Sequence, residues 1–236
     1  MKAVILAAGL GTRLRPITDS VPKCMVPVNG KCIIDQQIDN LKENGLLEKD
    51  IFVIGGYKEN VLKNHLLNTY QGINFISNPR YDETNNMYSL FLAKEYVKGE
   101  EFLLMNADVF FDSSIIKGIQ EGKGSKIACD KSCYLEESMK ITIDSDKKIN
   151  HISKKITESD HFAVSIDVYR ISPTASKILF DEIEYTICEK NDENSWTELA
   201  LDAIFPTTEF TPYIISGRWF EIDTLEDLTT AEKLFA

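Results

Sequence analysis

Long apolar runs are missing from this 236-residue chain. No stretch approaches the roughly 20 consecutive apolar residues that a bilayer-spanning helix needs. An excess of positive charge is missing too: 26 Lys and Arg stand against 37 Asp and Glu, a formal net charge of −11. That balance disfavours broad binding to nucleic acid or to an anionic membrane surface, and neither is expected as a partner. Cysteine is sparse. The five present (Cys24, Cys32, Cys129, Cys133, Cys188) are odd in number and contain no C-x-x-C pair. They suit free thiols in a reducing compartment better than a disulfide framework or a zinc site. Met1-Lys2 leads straight into a strand-like stretch without the apolar core of a signal peptide, so a cytoplasmic protein is expected. No linker, repeat or low-complexity segment interrupts the chain.

What is there is the composition of an ordered globular protein, 43 % hydrophobic and 27 % charged. Val4-Ile5-Leu6 reads as a short buried strand, followed at once by a glycine-rich turn. Apolar residues at helical spacing (Ile33, Ile34, Ile38, Leu41) predict a helix over 33–44, stopped by Gly45. Strands are expected at 51–54, 73–76 and 101–105, with helices at 59–67 and from 84 onward. Such alternation implies a largely parallel sheet with helices on both faces. The rhythm changes near residue 125. A hairpin is expected at 140–152, strands at 162–170, 213–215 and 219–222, and helices at 173–188 and 195–204. The last helix starts at Thr224, capped by Asp227.

The densest chemistry lies in Leu6-Ala7-Ala8-Gly9-Leu10-Gly11-Thr12-Arg13-Leu14-Arg15-Pro16. Small residues and two glycines let backbone N–H groups approach one anion, and Arg13 and Arg15 add charge for phosphate oxygens. The Walker loop's terminal Gly-Lys-Ser/Thr is absent, and so is the third glycine of the dinucleotide fingerprint, where Leu14 stands. A bare Gly-x-Gly after a strand fits a structural turn as well as a phosphate cradle. Pro22-Lys23, about ten residues on, returns a rigidly placed lysine that can reach the same phosphates.

This run, continued by Pro22-Lys23-Cys24-Met25-Val26-Pro27-Val28, resembles the signature LAAGxGTRLxPxTxxxPKxLxPVxxxPxI. It marks nucleotidyltransferases that join an NTP to a sugar phosphate or a phospho-alcohol; Cys32 stands where the pattern has proline. The resemblance implies a Rossmann-like three-layer α/β/α fold with a mainly parallel mixed sheet. One domain over 1–236 is expected, with a nucleotide-binding half over about 1–125 and an acceptor-binding half over about 126–236. It further implies that Leu6, Ala7, Ala8, Gly9, Gly11, Thr12 and Arg13 hold the triphosphate. Lys23, with Arg13 and Asp108, would serve the reacting centre.

Asp108 follows the apolar run Leu103-Leu104-Met105, at the strand end where open α/β sheets bind ligands. A lone acid there fits a turn or a helix cap equally well; the family's acid at this place is a metal ligand. Glu221 and Asp223, two residues apart, face one side of a strand. The stretch resembles W-x-E-I-D-T, whose acids bind metal, and both are named with Asp108 as candidate Mg²⁺ ligands. The alternative for Asp223 is a favourable charge before the last helix.

The connection Asn78-Pro79-Arg80-Tyr81-Asp82-Glu83-Thr84-Asn85-Asn86-Met87-Tyr88-Ser89-Leu90 is polar and resembles the N-N-x-Y-S-L branch. That branch holds the phosphocholine cytidylyltransferases and relatives acting on other phospho-amines and phosphonates. Asn78 and Asn86 are the candidate cytosine readers, Asn both donating and accepting hydrogen bonds; Ser89 completes the nucleotide set, and Asn85 fits a helix cap. For the acceptor, Lys154 resembles the family lysine that grips its phosphate, although tandem lysines also fit surface charge. Trp196 and Glu198 lie in a segment resembling the branch's Y-W-E-D-A helix. Tyr134, Tyr169, Trp196 and Trp219 are candidates for an aromatic cage around a quaternary ammonium, or for packing. Asp167 departs from the family's I-G-I-Y and lies near the presumed acceptor.

The implied activity is transfer of CMP from CTP to a small phosphorylated amino-alcohol such as phosphocholine, releasing pyrophosphate. Alternatives are another phospho-amine (phosphoethanolamine, aminoethylphosphonate, a phosphorylated amino-acid amide), a sugar 1-phosphate, or a non-catalytic nucleotide sensor. His65, His151 and His161 form no H-x-G-H motif, which disfavours the unrelated cytidylyltransferases that use one. A role in surface-polysaccharide decoration is a family-level expectation, and a homo-oligomer stays open.

Overall fold

Strand β1 (Lys2–Ala7) explains the layering. Its side chains alternate, Val4 and Leu6 entering one hydrophobic core and Ala3, Ile5 and Ala7 the other. A strand covered on both faces reads as a continuous apolar run because neither face meets water. In this computed structural model, which describes all 236 residues, the chain continues through a ribbon of β2 (Pro27–Val28) and β3 (Lys31–Cys32) into helix α1 (Ile33–Glu43). Then come β4 (Ile51–Gly55), α2 (Glu59–Thr69), β5 (Asn74–Ser77), α3 (Asn86–Phe91), α4 (Lys94–Val97), β6 (Phe102–Asn106), β7 (Val109–Phe111), α5 (Ser114–Gln120) and β8 (Ser125–Asp130). The second half holds β9 (Lys140–Ile143), β10 (Ile149–Ser153), β11 (Ala163–Ile171), α6 (Pro173–Glu184), α7 (Thr197–Ile204), β12 (Phe210–Ile214), β13 (Trp219–Glu221) and α8 (Leu225–Leu234).

β5, β4, β1 and β6 pair in that order, all parallel. β11 joins antiparallel to β6, β8 antiparallel to β11, and β12 parallel to β8. Helices α3, α6 and α7 pack on one face through Leu90, Leu179 and Leu201. Helices α1, α2 and α5 cover the other through Ile38, Leu66 and Ile116. The expected three-layer α/β/α architecture and mixed, mainly parallel sheet are therefore present, and α8 carries the predicted capping box of Thr224 and Asp227.

Five elements had no expectation attached: β2, β3, β7, α5 and β8. Each is short and bounded by turns, so it carries too little periodicity to be read. The helix expected over 173–188 stops as an α-helix at Glu184 and continues as one wide turn over Tyr185–Glu189. β12 starts at Phe210, three residues early; Pro212 fits because β12 is an edge strand pairing only with β8.

β11 is the element that makes room for a site. β8 runs along one of its edges. On the other edge Ala163–Val164 pair with β9, whereas Val168–Ile171 pair with β6. Between them Asp167 takes a left-handed conformation, φ +58°, at a break in register. The two neighbouring strands part there, beyond the carboxyl end of β6. A non-glycine residue in this region costs about 1 kcal/mol and persists because ladders on both sides hold it.

Candidate active site

An open cleft of about 390 Å³ lies beyond the carboxyl ends of β1 and β6. Its floor is the glycine-rich turn: Leu6, Ala7, Ala8, Gly9 and Arg13 line it together with Lys23. Gly11 and Thr12 do not face the cleft but shape it. Gly11 has φ +60°, and a Cβ there would sit 2.9 Å from Lys23 Cβ and 3.2 Å from Thr18 Cγ2. Only glycine lets the lysine close against the turn. Pro22 then leads into a tight turn over Lys23–Met25 that fixes the lysine's direction.

Two carboxylates meet that lysine, and a third lies beside them. β13 pairs antiparallel with β7, Glu221 opposite Val109, and Ile222 N–H donates to Asp108 O at 2.9 Å. The C-terminal Glu221 and Asp223 are thereby held beside Asp108, and the nearest oxygens of all three lie within 4.8 Å of one another. Lys23 Nζ donates to Asp108 Oδ2 at 2.9 Å and to Asp223 Oδ1 at 2.6 Å. Arg13 Nη2 lies 2.9 Å from Asp223 Oδ2. Burial opposes charge on Lys23, but Asp108 and Asp223 outweigh it and hold the ammonium well above its ordinary pKa. Burial also raises Asp223, and Lys23 and Arg13 reverse this to leave it below the usual carboxylate range. Glu221 has no such partner; burial, with Asp108 and Asp223 alongside, pushes it up to about 7.

The residues fit a hard divalent cation. The donor set is all carboxylate oxygen, and Asp108 Oδ1 is a buried acceptor with no hydrogen-bond partner. A cation would satisfy such an atom, and two further acids lie beside Asp108.

Beside Ser89, Asn78 is a scaffold. It is buried and absent from the cleft wall; its Nδ2 donates to Thr84 Oγ1 at 3.2 Å and Ser89 Oγ at 3.1 Å, while its Oδ1 accepts from Arg80 N–H at 2.9 Å. With its amide engaged at both ends it positions Ser89, which does line the cleft, rather than reading a base itself. Asn85 is the N-cap of α3, accepting from Asn86 N–H at 2.8 Å. Asn86 lines the cleft, but its Oδ1 accepts from Thr197 N–H at 2.8 Å and Thr197 Oγ1 at 3.3 Å.

At the other end Lys154, Asp167, Trp196 and Glu198 all line the cleft. Asn106 Nδ2 donates to Asp167 Oδ2 at 2.9 Å. Tyr169 does not reach the cleft. It is buried beneath the acids, its hydroxyl 2.9 Å from both Asp167 Oδ1 and Glu198 Oε1. One hydroxyl proton serves only one of them, so the pair calls for a second proton or a cation. Burial, then Glu198, raises Asp167 far above its ordinary value, and burial raises Glu198. The aromatic cage does not assemble. Trp219 turns away and donates Nε1–H to Asp130 Oδ2 at 2.7 Å. Tyr134 packs edge-on against His161 and stands under Lys140. Trp196 is the cage candidate in the wall, with Lys154 Nζ 4.9 Å from its ring centre.

Tyr81, Asn106, Glu137, Ser138 and Ser165 also line the cleft and were not foreseen. Asn106 ends β6, one residue past the strand expected over 101–105. Glu137 and Ser138 lie on the 131–139 connection, whose sequence bears no motif.

The nucleotidyl transferase family matches residues 2–161. A CTP:phosphoglutamine cytidylyltransferase of Campylobacter jejuni is 34 % identical, over 97 % of this chain and 98 % of its own length. A choline-phosphate cytidylyltransferase of Streptococcus pneumoniae is 31 % identical, over 99 % and 98 %. The solved CTP:phosphocholine cytidylyltransferase of Streptococcus pneumoniae superposes with a TM-score of 0.81 at 25 % identity, covering all of this chain and 99 % of that one. The inositol-1-phosphate CTP transferase of T. maritima shares the fold, with a TM-score of 0.79 at 23 % identity over 98 % and 96 %. A signature turn, a lysine and a carboxylate strand end in one cleft, on a chain matched along two thirds of its length, make this protein a member of the nucleotidyl transferase family.

Proposed function

We propose that this chain, acting as one domain, is a cytidylyltransferase that moves CMP from CTP to a small phosphorylated amine and releases pyrophosphate. The carrying observation is that Lys23, Asp108 and Asp223 meet at one end of a cleft whose other end presents Asp167, Glu198 and Trp196. The first cluster suits the phosphates of a nucleotide, the second an acceptor with a positive end. Cytidylyltransferase relatives aligned over nearly the whole chain support CTP as the donor. Contributions to the cleft from both 1–125 and 126–236 support a single domain.

An acceptor phosphate oxygen attacks the α-phosphorus of CTP, and the bond from that phosphorus to the bridging oxygen breaks as pyrophosphate leaves. With a second pKa of about 6, the acceptor phosphate is largely dianionic at neutral pH, so no side chain need remove a proton. Lys23, kept protonated by its two acids, meets the charge that builds on the α-phosphoryl oxygens, and Arg13 and the turn's N–H groups hold the triphosphate. Asp108, Glu221 and Asp223 would hold Mg²⁺, which supplies neutralisation of phosphate charge when bound. Lys154 is the acceptor-phosphate candidate.

Asp167 and Glu198 offer directional acceptors, and a single tryptophan face is poor shelter for a trimethylammonium. A primary amine therefore fits this end better than choline. The test is pyrophosphate release with CTP, UTP, ATP and GTP against phosphocholine, phosphoethanolamine, aminoethylphosphonate, phosphorylated amino-acid amides and glucose 1-phosphate. CTP with a primary amine should give the highest kcat/KM; preference for glucose 1-phosphate defeats the acceptor assignment, and preference for UTP the donor.

A further inference from the structure

Besides the strand pairings, a seam of side-chain contacts joins residues 80–86 to residues 193–197 across the two halves of the cleft. Arg80 Nη1 and Nη2 grip Glu193 Oε1 and Oε2 at 2.8 and 2.6 Å, a bidentate pair. Asn85 N–H donates to Glu193 O at 3.0 Å, and Asn85 Nδ2 to Asn194 O at 3.2 Å. Next inward, Asn86 Oδ1 takes the two hydrogen bonds from Thr197. Three residues beyond the ion pair is Trp196, and two further on is Glu198.

Helix α7 needs this seam. Its N-cap residue is Trp196, whose side chain makes no capping hydrogen bond. The first-turn N–H groups of a helix require an acceptor. Asn86 supplies one from another segment of the chain. A backbone N–H can only donate, so the amide atom facing Thr197 is the oxygen. Both lone pairs of Oδ1 are thereby engaged, and Asn86 cannot also accept from the amino group of a cytosine. The Asn86 amide also works against the burial that raises the Glu198 pKa.

We propose that Asn86 is a positioning residue for the acceptor end, not a base reader, and that the Arg80–Glu193 pair is the outer clasp of the same device. It acts by fixing the start of α7, and with it the directions in which Trp196 and Glu198 enter the cleft. This rests on the reading that those two residues meet the acceptor.

The test compares steady-state constants of the wild type and the variants, using whichever phosphorylated acceptor of the panel the wild type uses best. Asn86→Ala should raise the acceptor KM about tenfold, the scale of one lost hydrogen-bonded cap, leave the CTP KM within twofold, and keep the CTP-over-UTP preference. Arg80→Ala and Glu193→Ala should each raise the acceptor KM up to about fivefold, as expected of a half-exposed ion pair. The double variant should be no worse than Arg80→Ala alone, because the Glu193 side chain acts through Arg80, which itself also holds Glu83 and lies over Tyr88. Loss of CTP-over-UTP discrimination in Asn86→Ala at unchanged acceptor KM would restore the base-reader role and overturn the proposal. If Asn86→Ala fails to fold, the Arg80–Glu193 cycle decides, and an unchanged acceptor KM in all three members overturns it. A best acceptor of glucose 1-phosphate would defeat the amine reading and still leave the positioning test in force.

Discussion

Replacing Lys23 by alanine removes the one ammonium that bridges Asp108 and Asp223, at 2.9 and 2.6 Å, from a place where its side chain is only 14 % exposed. Breaking a fully buried pair costs about 3–5 kcal/mol, because the partner charge stays behind without compensation. Here the acids are about a quarter exposed, so solvent screens part of this and about 2 kcal/mol is the expected loss at pH 8. Unfolding entropy of about 2.1 cal/mol/K per residue, over 236 residues, gives roughly 0.5 kcal/mol/K. The midpoint should therefore fall by about 4 °C in the absence of divalent cation. Millimolar MgCl₂ should recover most of that loss, and raise the variant's midpoint more than the wild type's, since a cation among the same carboxylates replaces the missing charge. Turnover should behave differently. Losing a preorganised charge at the reacting phosphoryl group costs about 10²–10³ in rate, whereas CTP affinity should change by less than about tenfold. Thermal melts with and without MgCl₂, single-turnover kinetics and CTP titration read all of this. An unaltered midpoint would show that Lys23 does not balance the acids. Equal losses in turnover and CTP affinity would reduce it to a ground-state binder.

Asp108→Asn should abolish turnover while moving the midpoint by less than about 2 °C, because Lys23 keeps Asp223 and the strand ladder is untouched; an unfolded protein or an active one refutes the ligand role. Glu221 has its folded pKa raised to about 7, so the folded state holds a proton that the unfolded chain gives up near 4.5. Its contribution to stability is present at pH 4.5 and is lost as pH rises through 7. Without divalent cation, Glu221→Gln should then lose less midpoint between pH 5 and 8 than the wild type, and identical slopes would refute the raised value. Glu198→Gln should weaken amine acceptors by about tenfold in KM with CTP unaffected, in line with a charged hydrogen bond lost; an unchanged acceptor KM would remove Glu198 from that end of the cleft.

Much of the Lys23 end of the cleft was legible in the residues themselves. Strand β1 and the turn after it carry their own local instructions: an apolar run, then glycines and arginines at fixed offsets, then Pro22-Lys23. The layer order followed from strands alternating with helices, since a parallel sheet buried on both faces leaves that rhythm. Candidate metal acids were legible at strand ends, yet that Asp108, Glu221 and Asp223 share one point depends on β13 pairing with β7, a contact spanning more than a hundred residues that no local pattern encodes.

The Asp167–Glu198 end of the cleft was a tertiary decision. Asn78, Tyr169 and Trp219 have the chemistry of ligand-binding residues, and packing turned each of them to another partner: Ser89, the Asp167–Glu198 pair and Asp130. Asp167 enters the cleft because β11 changes neighbours at that residue, which depends on where β6 ends and β9 begins. Asn86 looks the same in sequence whether it reads a base or caps α7, because an amide offers one donor end and one acceptor end to either. Local propensity and motif spacing act over a few residues and are written in order along the chain. Which side chains share a cleft is settled by long-range pairing and by the requirement that every buried polar group find a partner, and those are satisfied only in the assembled fold.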